Sequence, residues 1–370
     1  MSVFENVKKN FGFGCMRLPM KGEEIDYVEF SKMIDTFMDA GFNYFDTAHG
    51  YHNGLSEIAL RECLTSRYPR DSYILVNKLS SSYFKTEEEI RPYFEKQLVD
   101  CGVDYFDFYL MHAQDKNLFE KYKKCRAYET ALELLEEGKI KHFGLSFHDK
   151  AEVLEEILEA YPQIEVVQIQ FNYVDYEDAS VQSRKVYEVC RKFGKPIIVM
   201  EPVKGGSLVN LPEPAKAVLD ELQGGSYASY AIRFAASFEG IFMVLSGMGN
   251  MDMMKDNLSY MTDFKPLDEK ELEAVWRVCN IFRNQGRISC TACKYCMEVC
   301  PTQIPIPTLF ACMNDKAAFN NWNSSYYYKI HTKNAPKASD CIKCGACEEI
   351  CPQHLPIREL LDEVAREFEK

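Results

Sequence analysis

Short apolar runs alternate with longer amphipathic stretches along most of the chain. Phe11 to Pro19 (FGFGCMRLP) reads as a strand with a glycine-punctuated end. From Asp26 to Ala40, Phe30, Met33, Ile34, Phe37 and Met38 recur at helical spacing; Asp26 is placed to cap the start and Gly41 to end it. The same reading predicts strands at Phe42–Ala48, Tyr73–Leu79, Tyr105–His112, Lys141–His148, Val166–Phe171, Pro196–Met200 and Ile241–Ser246. Between and after them it predicts helices at Gly54–Ser66, Glu87–Cys101, Glu120–Glu137, Lys150–Ala160, Ser180–Phe193, Ala228–Phe238 and Met251–Met261. Apolar strands separated by amphipathic helices imply a parallel sheet covered on both faces, an α/β protein. Eight strand–helix units in about 260 residues favour a closed (β/α)8 TIM barrel over an open sheet. The glycine pattern of a dinucleotide-binding open sheet is missing after the first strand.

The pattern changes beyond the eighth unit. Residues 263–289 read as a helical connector, with Leu272, Val275, Trp276 and Ile281 spaced to face a core. Residues 290–370 form a cysteine-rich region that ends in an amphipathic helix marked by Leu360, Leu361, Val364 and Phe368. The expected organisation is a barrel over 1–262, the connector, and a smaller, mainly helical domain. A length of 370 residues suits one large and one small unit. The net charge of −13 argues against nucleic acid or an anionic membrane as partner. Neither a secretion signal nor a membrane-spanning run is visible, so a cytoplasmic protein is expected.

Cysteine sharpens the picture. Of 15 cysteines, nine lie from Cys290 to Cys351; Cys312 stands apart and the other eight are patterned. They form two runs, Cys290-x2-Cys293-x2-Cys296-x3-Cys300-Pro and Cys341-x2-Cys344-x2-Cys347-x3-Cys351-Pro. This doubled spacing is that of bacterial two-cluster ferredoxins, in which the fourth cysteine of each run serves the other cluster. One [4Fe–4S] cluster is therefore expected on Cys290, Cys293, Cys296 and Cys351, the second on Cys341, Cys344, Cys347 and Cys300. Zinc is the competing ligand, but zinc sites use one or two Cys-x2-Cys pairs rather than this run. The insert between the runs resembles helical ferredoxin-like modules of larger oxidoreductases. It carries a helix near Thr308–Met313 and an aromatic patch at Trp322 and Tyr326–Tyr328, expected to pack.

The barrel has its own chemistry. Reacting groups in such barrels sit at the C-terminal ends of strands. Asp46 and Tyr51 follow the second strand, Lys78 ends the third and His112 ends the fourth. An ammonium beside a phenol stabilises the phenolate, and a carboxylate holds the ammonium in place. An imidazole can orient a carbonyl oxygen, so the four groups together suit proton delivery to a carbonyl that accepts a hydride. This set, with Gly14-Cys15-Met16-Arg17, Gly144-Leu145-Ser146, Val167-Gln168-Ile169-Gln170, Glu201-Pro202, Gly205-Gly206 and Asp256-Asn257, resembles the aldo-keto reductases over residues 11–261. The resemblance implies NAD(P)H-dependent reduction of an aldehyde or ketone, with Tyr51 as general acid, Lys78 and Asp46 assisting, and His112 orienting the substrate. It places Ser146 and Gln168 on the nicotinamide amide, and Met200, Gly205, Gly247 and Asn257 along the cofactor. The chain departs from the family pattern at Phe147, where an Asn is common, and at Met253, where an Arg often grips a 2′-phosphate, with Lys255 the nearest cation. Strong NADP preference is therefore not implied. His49, His52 and His148 are candidates for substrate contact.

A hydride carries two electrons and a [4Fe–4S] cluster normally one, so direct exchange needs a carrier such as a flavin. The clusters then feed or drain the barrel through a flavin or a redox partner protein, or the barrel works alone beside structural or sensing clusters. The alternative is an electron-transfer module whose barrel is a docking scaffold.

Overall fold

The computed structural model describes residues 4, 6–178, 181–222, 224–284, 288–319 and 323–370. Eight strands close a parallel barrel: β1 (Phe11–Gly14), β2 (Tyr44–Asp46), β3 (Ile74–Leu79), β4 (Phe106–Gln114), β5 (Ile140–Phe147), β6 (Val166–Gln170), β7 (Ile197–Met200) and β8 (Ile241–Ser246). Each strand pairs with its neighbours in sequence, and β1 closes on β8. The expected (β/α)8 architecture is thus what forms. A small hairpin, Met20–Lys21 with Glu24–Ile25, is an addition to the expected elements.

The helices follow the amphipathic stretches: α1 (Tyr27–Asp39), α2 (Leu55–Leu60, continued by a π turn at Arg61–Thr65), α3 (Ile90–Cys101), α4 (Lys116–Lys124), α5 (Ala127–Glu136), α6 (Ala151–Ala160) and α7 (Ser183–Lys192). Asp26 caps α1 by accepting from Glu29 N at 2.9 Å, as its position predicts. The single helix expected over Glu120–Glu137 is instead two, α4 and α5. Arg126 between them is left-handed (φ 50°), and its guanidinium bonds Glu87 at 3.0 Å. The expected start of α7 at Ser180 lies outside the described residues.

Inside the barrel, Tyr44, Val76, Phe108, Leu110, Val166 and Ile198 pack together. Phe4 closes the N-terminal end of the barrel, with ring centroids 5.0 Å from Phe108 and 4.9 Å from Phe242. Side chains on a strand alternate between faces, so the next inward positions after these residues are Asp46, Lys78, His112, Gln168 and Met200. On β2, β3, β4 and β6 this inward face changes from apolar to polar toward the C-terminal end, while β7 ends on Met200. Gly144 belongs to this interior; a β-carbon there would lie 2.6 Å from Val166 O and 2.7 Å from Leu110 Cδ2.

The chain divides into two compact units. The first comprises Met1–Glu177, Gln182–Pro202 and Ala228–Leu267, with the barrel and helices α9 (Tyr227–Ala236, from Ala228 onward) and α10 (Met251–Met261). The second comprises Asp178–Val181, Val203–Tyr227 and Asp268–Lys370. Val203–Tyr227, expected within the barrel domain, thus groups with the C-terminal region. Helix α8 (Glu213–Asp220) packs on α11 (Glu269–Asn284), and Arg277 pairs with Glu221 at 3.3 Å. The expected connector is accordingly part of the second unit's packing.

The rest of the second unit is helical: α12 (Tyr295–Glu298), α13 (Ile306–Phe319), α14 (Asn323–His331), α15 (Ala346–Glu349) and α16 (Ile357–Phe368). Ile357, Leu361, Val364 and Phe368 are the buried stripe of α16. They share a core with Ile304, Leu309, Phe310 and Tyr328, and the Tyr328 ring stacks on Phe368 at 4.8 Å. Trp322 and the side chains of Tyr326 and Tyr327 lie outside the described residues. Among the described residues, no helix is long and apolar enough to cross a membrane.

Gly144→Ala tests the packing of the barrel interior. The added methyl meets backbone as well as side chain, so the variant is expected to lose about 1–3 kcal/mol in chemical denaturation.

Candidate functional site

Asp46 is the last residue of β2, and its Cα partner on β3 is Val76. Lys78 lies two residues beyond Val76, on the same inward face. The two side chains meet with Lys78 Nζ 2.6 Å from Asp46 Oδ1; they are 1% and 3% exposed, Lys78 the lesser. The same ammonium donates to Thr47 O at 2.8 Å and reaches the Tyr51 hydroxyl at 3.4 Å. Gln168 Nε2 donates to the other oxygen of Asp46 at 3.1 Å. Burial pushes the Asp46 carboxyl above its ordinary value, while the Lys78 charge and the hydrogen bonds from Lys78 and Gln168 pull it back.

Tyr51 opens a short 3-10 turn, Tyr51–Gly54, after β2. Burial and then the Asp46 charge push its phenol well above the ordinary value; Arg17 pulls the other way. The phenol therefore holds its proton at neutral pH. His112 lies 6.1 Å from the Tyr51 ring, centroid to centroid, at an edge-on angle. Burial, then the charge of Lys78, pushes its imidazole well below the ordinary value, so it is neutral. Its Nδ1 is 2.6 Å from Ser80 Oγ. Ladder pairing shifts between Met111 and Gln114, and Ala113 is left-handed (φ 54°), which marks a bulge beside the imidazole. Ala113 N donates to Ser146 Oγ at 2.7 Å.

Asp46, Tyr51, Lys78 and His112 therefore come together. The residues expected on the nicotinamide are more scattered in their engagements. Ser146 supports the bulge and Gln168 supports Asp46, as described. Met200 ends β7 opposite Gln170. Gly247 follows β8, beside Arg17. Asn257 is buried, donating to Ser246 Oγ at 2.8 Å and accepting from Tyr260 at 2.5 Å. Gly205 belongs to the second unit, where a β-carbon would lie 2.4 Å from Thr291 O.

The three histidine candidates also have partners. His49 is buried, with Nδ1 2.5 Å from Glu57. The other Glu57 oxygen accepts from Asn77 at 2.7 Å and Gln97 at 3.2 Å, and Gln97 also donates to Lys78 O at 3.0 Å. His49 is thus part of a buried network behind Lys78 rather than a substrate contact. His52 Nε2 accepts from Leu18 N at 3.3 Å, and His148 Nδ1 is 3.3 Å from Gln170. The sequence reading missed Ser80 and Arg17. Ser80 had a signal, standing two residues past Lys78 and just beyond the end of β3; Arg17 had none beyond its motif.

The eight cysteines line two cavities. One is lined by Cys290, Cys293, Cys296 and Cys351, with Gln353 and Phe310 among their neighbours. The other is lined by Cys300, Cys341, Cys344 and Cys347, with Thr302 and Leu361. Each cavity takes three thiols from one run and the fourth from the other. Four soft sulfur donors around each space fit a cluster of iron and sulfide.

Replacing Lys78 tests the ion pair. Lys78→Met leaves a buried carboxylate without its cation, so a loss of about 3–5 kcal/mol is expected in denaturant unfolding. Adding Asp46→Asn to that variant should recover part of the loss.

The Aldo/keto reductase family profile matches residues 10–279, and a 4Fe-4S dicluster domain profile matches 289–355. NADH-specific methylglyoxal reductase of Escherichia coli is 27% identical over 195 residues, which are 47% of this chain and 57% of that enzyme's length. An uncharacterised oxidoreductase of Schizosaccharomyces pombe is 25% identical over 271 residues, 70% of this chain and 83% of that protein. Among solved structures, a thermostable aldo-keto reductase in complex with epalrestat aligns with TM-score 0.60 at 20% identity, over 72% of this chain and 94% of that one. An aldo-keto reductase from Klebsiella pneumoniae in complex with NADPH aligns with TM-score 0.58 at 17% identity, over 74% and 95%. The chain belongs to the aldo-keto reductase family of oxidoreductases and carries a C-terminal 4Fe-4S domain.

Proposed function

We propose that the barrel interconverts a carbonyl compound and its alcohol at Asp46, Tyr51, Lys78 and His112. The observation that carries this reading is Lys78 Nζ placed between Asp46 Oδ1 and the Tyr51 hydroxyl, at 2.6 and 3.4 Å. A bound NAD(P)H, as in the Klebsiella relative's structure, supplies the hydride. Tyr51 keeps its proton until negative charge develops on the substrate oxygen, an alkoxide being a much stronger base than a phenolate. Lys78 then stabilises the phenolate left behind, and Asp46 holds Lys78 in position. His112 stays neutral and, steered by Ser80, orients the carbonyl oxygen.

We further propose that the two cysteine sets hold two [4Fe–4S] clusters, which supply one-electron transfer to or from a redox partner protein. A flavin joining this chemistry to the hydride chemistry is the remaining element of the proposal. It would survive as a flavin absorbance after iron is removed.

Tyr51→Phe removes only the transferable proton. Carbonyl reduction by NAD(P)H is expected to fall about 10²–10⁴-fold, with nicotinamide binding retained. Unchanged physiological electron-transfer turnover in Tyr51→Phe would favour the docking-scaffold alternative. Anaerobically purified protein is expected to contain about eight iron and eight sulfide per chain, and Cys293→Ala to lose about half of both. Zinc in place of iron would sink the cluster assignment.

A further inference from the structure

The two cysteine cavities differ in the charge and hydrogen-bond donors beside them. Gln353 lines the cavity of Cys290, Cys293, Cys296 and Cys351 and is only 4% exposed. Its Oε1 accepts from Lys204 Nζ at 3.2 Å, and Lys204 is itself 3% exposed. A lysine ammonium can only donate, which fixes the amide oxygen toward Lys204 and turns the amide nitrogen away from it. That nitrogen is buried and has no hydrogen-bond partner among the described residues.

The loop is built to put the lysine there. Lys204 is left-handed (φ 47°), an unfavourable conformation for a residue with a β-carbon. Gly205 follows, also left-handed, and its missing β-carbon lets the loop lie against the backbone of Thr291, next to Cys290. Lys294, on the exposed side of this cavity, adds charge of the same sign.

Among the described residues, no charged side chain and no side-chain amide lines the cavity of Cys300, Cys341, Cys344 and Cys347. Its side-chain polar contact is Thr302 Oγ1, 3.3 Å from Cys300 Sγ, and the backbone N–H of Lys343 donates to Cys341 Sγ at 3.4 Å. Lys343 is near in sequence but pairs with Asp362 at 2.9 Å. Glu348 acts on a cysteine of each set; Arg358, which also acts on Cys347, is paired with it at 2.7 Å, so the two charges offset one another.

We propose that the Lys204–Gln353 pair raises the reduction potential of the cluster site formed by Cys290, Cys293, Cys296 and Cys351 above that of the other site. The proposal rests on the two-cluster reading given above. Reduction adds one electron to a cluster. A nearby positive charge and an amide N–H directed at sulfur both favour the more negative state. The first electron entering the second unit then settles on the Cys290 set, which fixes the order of filling.

The test is a redox titration of the full-length, anaerobically reconstituted protein, followed by electron paramagnetic resonance. Wild type should show two one-electron steps, and Cys293→Ala should abolish the higher one. Lys204→Met should move that step about tenfold in reduced-to-oxidised ratio toward the oxidised form, about 59 mV for one electron, and leave the lower step in place. Gln353→Leu should move the same step in the same direction, and Lys204→Arg should preserve it. Loss of the lower step in Cys293→Ala would overturn the proposal. So would both steps staying put, or moving equally, in Lys204→Met and Gln353→Leu at undiminished iron content, and the cluster assignment would then still stand. If Lys204→Met cannot hold iron, Gln353→Leu decides alone. Wild type without iron, sulfide or a resonance signal would remove the cluster assignment and this inference together.

Discussion

A buried ion pair is an expensive thing to place inside a barrel. Taking the Asp46 carboxylate and the Lys78 ammonium out of water costs several kcal/mol each, and attraction between them offsets this only when the remaining hydrogen bonds are made. Here they are: Thr47 O and the Tyr51 hydroxyl take the other ammonium protons, and Gln168 serves the second carboxylate oxygen. The interaction depends on the whole sheet. Asp46 and Lys78 meet because β2 and β3 are in register at Asp46 and Val76, and Gln168 arrives from β6 because the barrel closes. Below them, Tyr44, Val76, Phe108 and Ile198 supply the apolar packing that carries the cost.

The surroundings of the pair explain the states of its neighbours. Burial holds Tyr51 protonated and His112 neutral, so a phenol that keeps its proton stands beside an uncharged hydrogen-bonding ring. Behind the strand, Glu57 collects Asn77, Gln97 and His49, and Gln97 also holds the Lys78 carbonyl. The lysine is thereby fixed at both its head and its backbone.

The second unit follows another constraint. Cys296, Cys300, Cys347 and Cys351 are buried within its apolar core, beside Ile304, Leu309 and Phe310. Three thiols of each run face one cavity and the fourth crosses to the other. Neither run can close a site alone, so two segments separated by an insert of two helices must fold together. Binding at such sites is also folding energy, because the unfolded chain holds no preformed cage.

Local pattern was enough for much of this. Strand and helix alternation, the caps and the cysteine spacings are written within a few residues of one another, and so the barrel, its count of eight and the two thiol runs were legible. Asp46, Tyr51, Lys78 and His112 were legible for the same reason, each standing at the end of a recognisable strand. Other features depend on partners distant in the chain. The break at Arg126, where the backbone turns left-handed, has no glycine or proline to announce it. Gly205 looked like a cofactor residue by its position in the barrel order, yet its close neighbour is Thr291. His49 looked exposed to a substrate until Glu57 was seen beside it. Side-chain type and spacing determine which chemistry the chain can carry; which groups share a hydrogen bond or a buried charge is decided only when the barrel closes and the cysteine runs fold together, since those energies depend on distances that sequence does not contain.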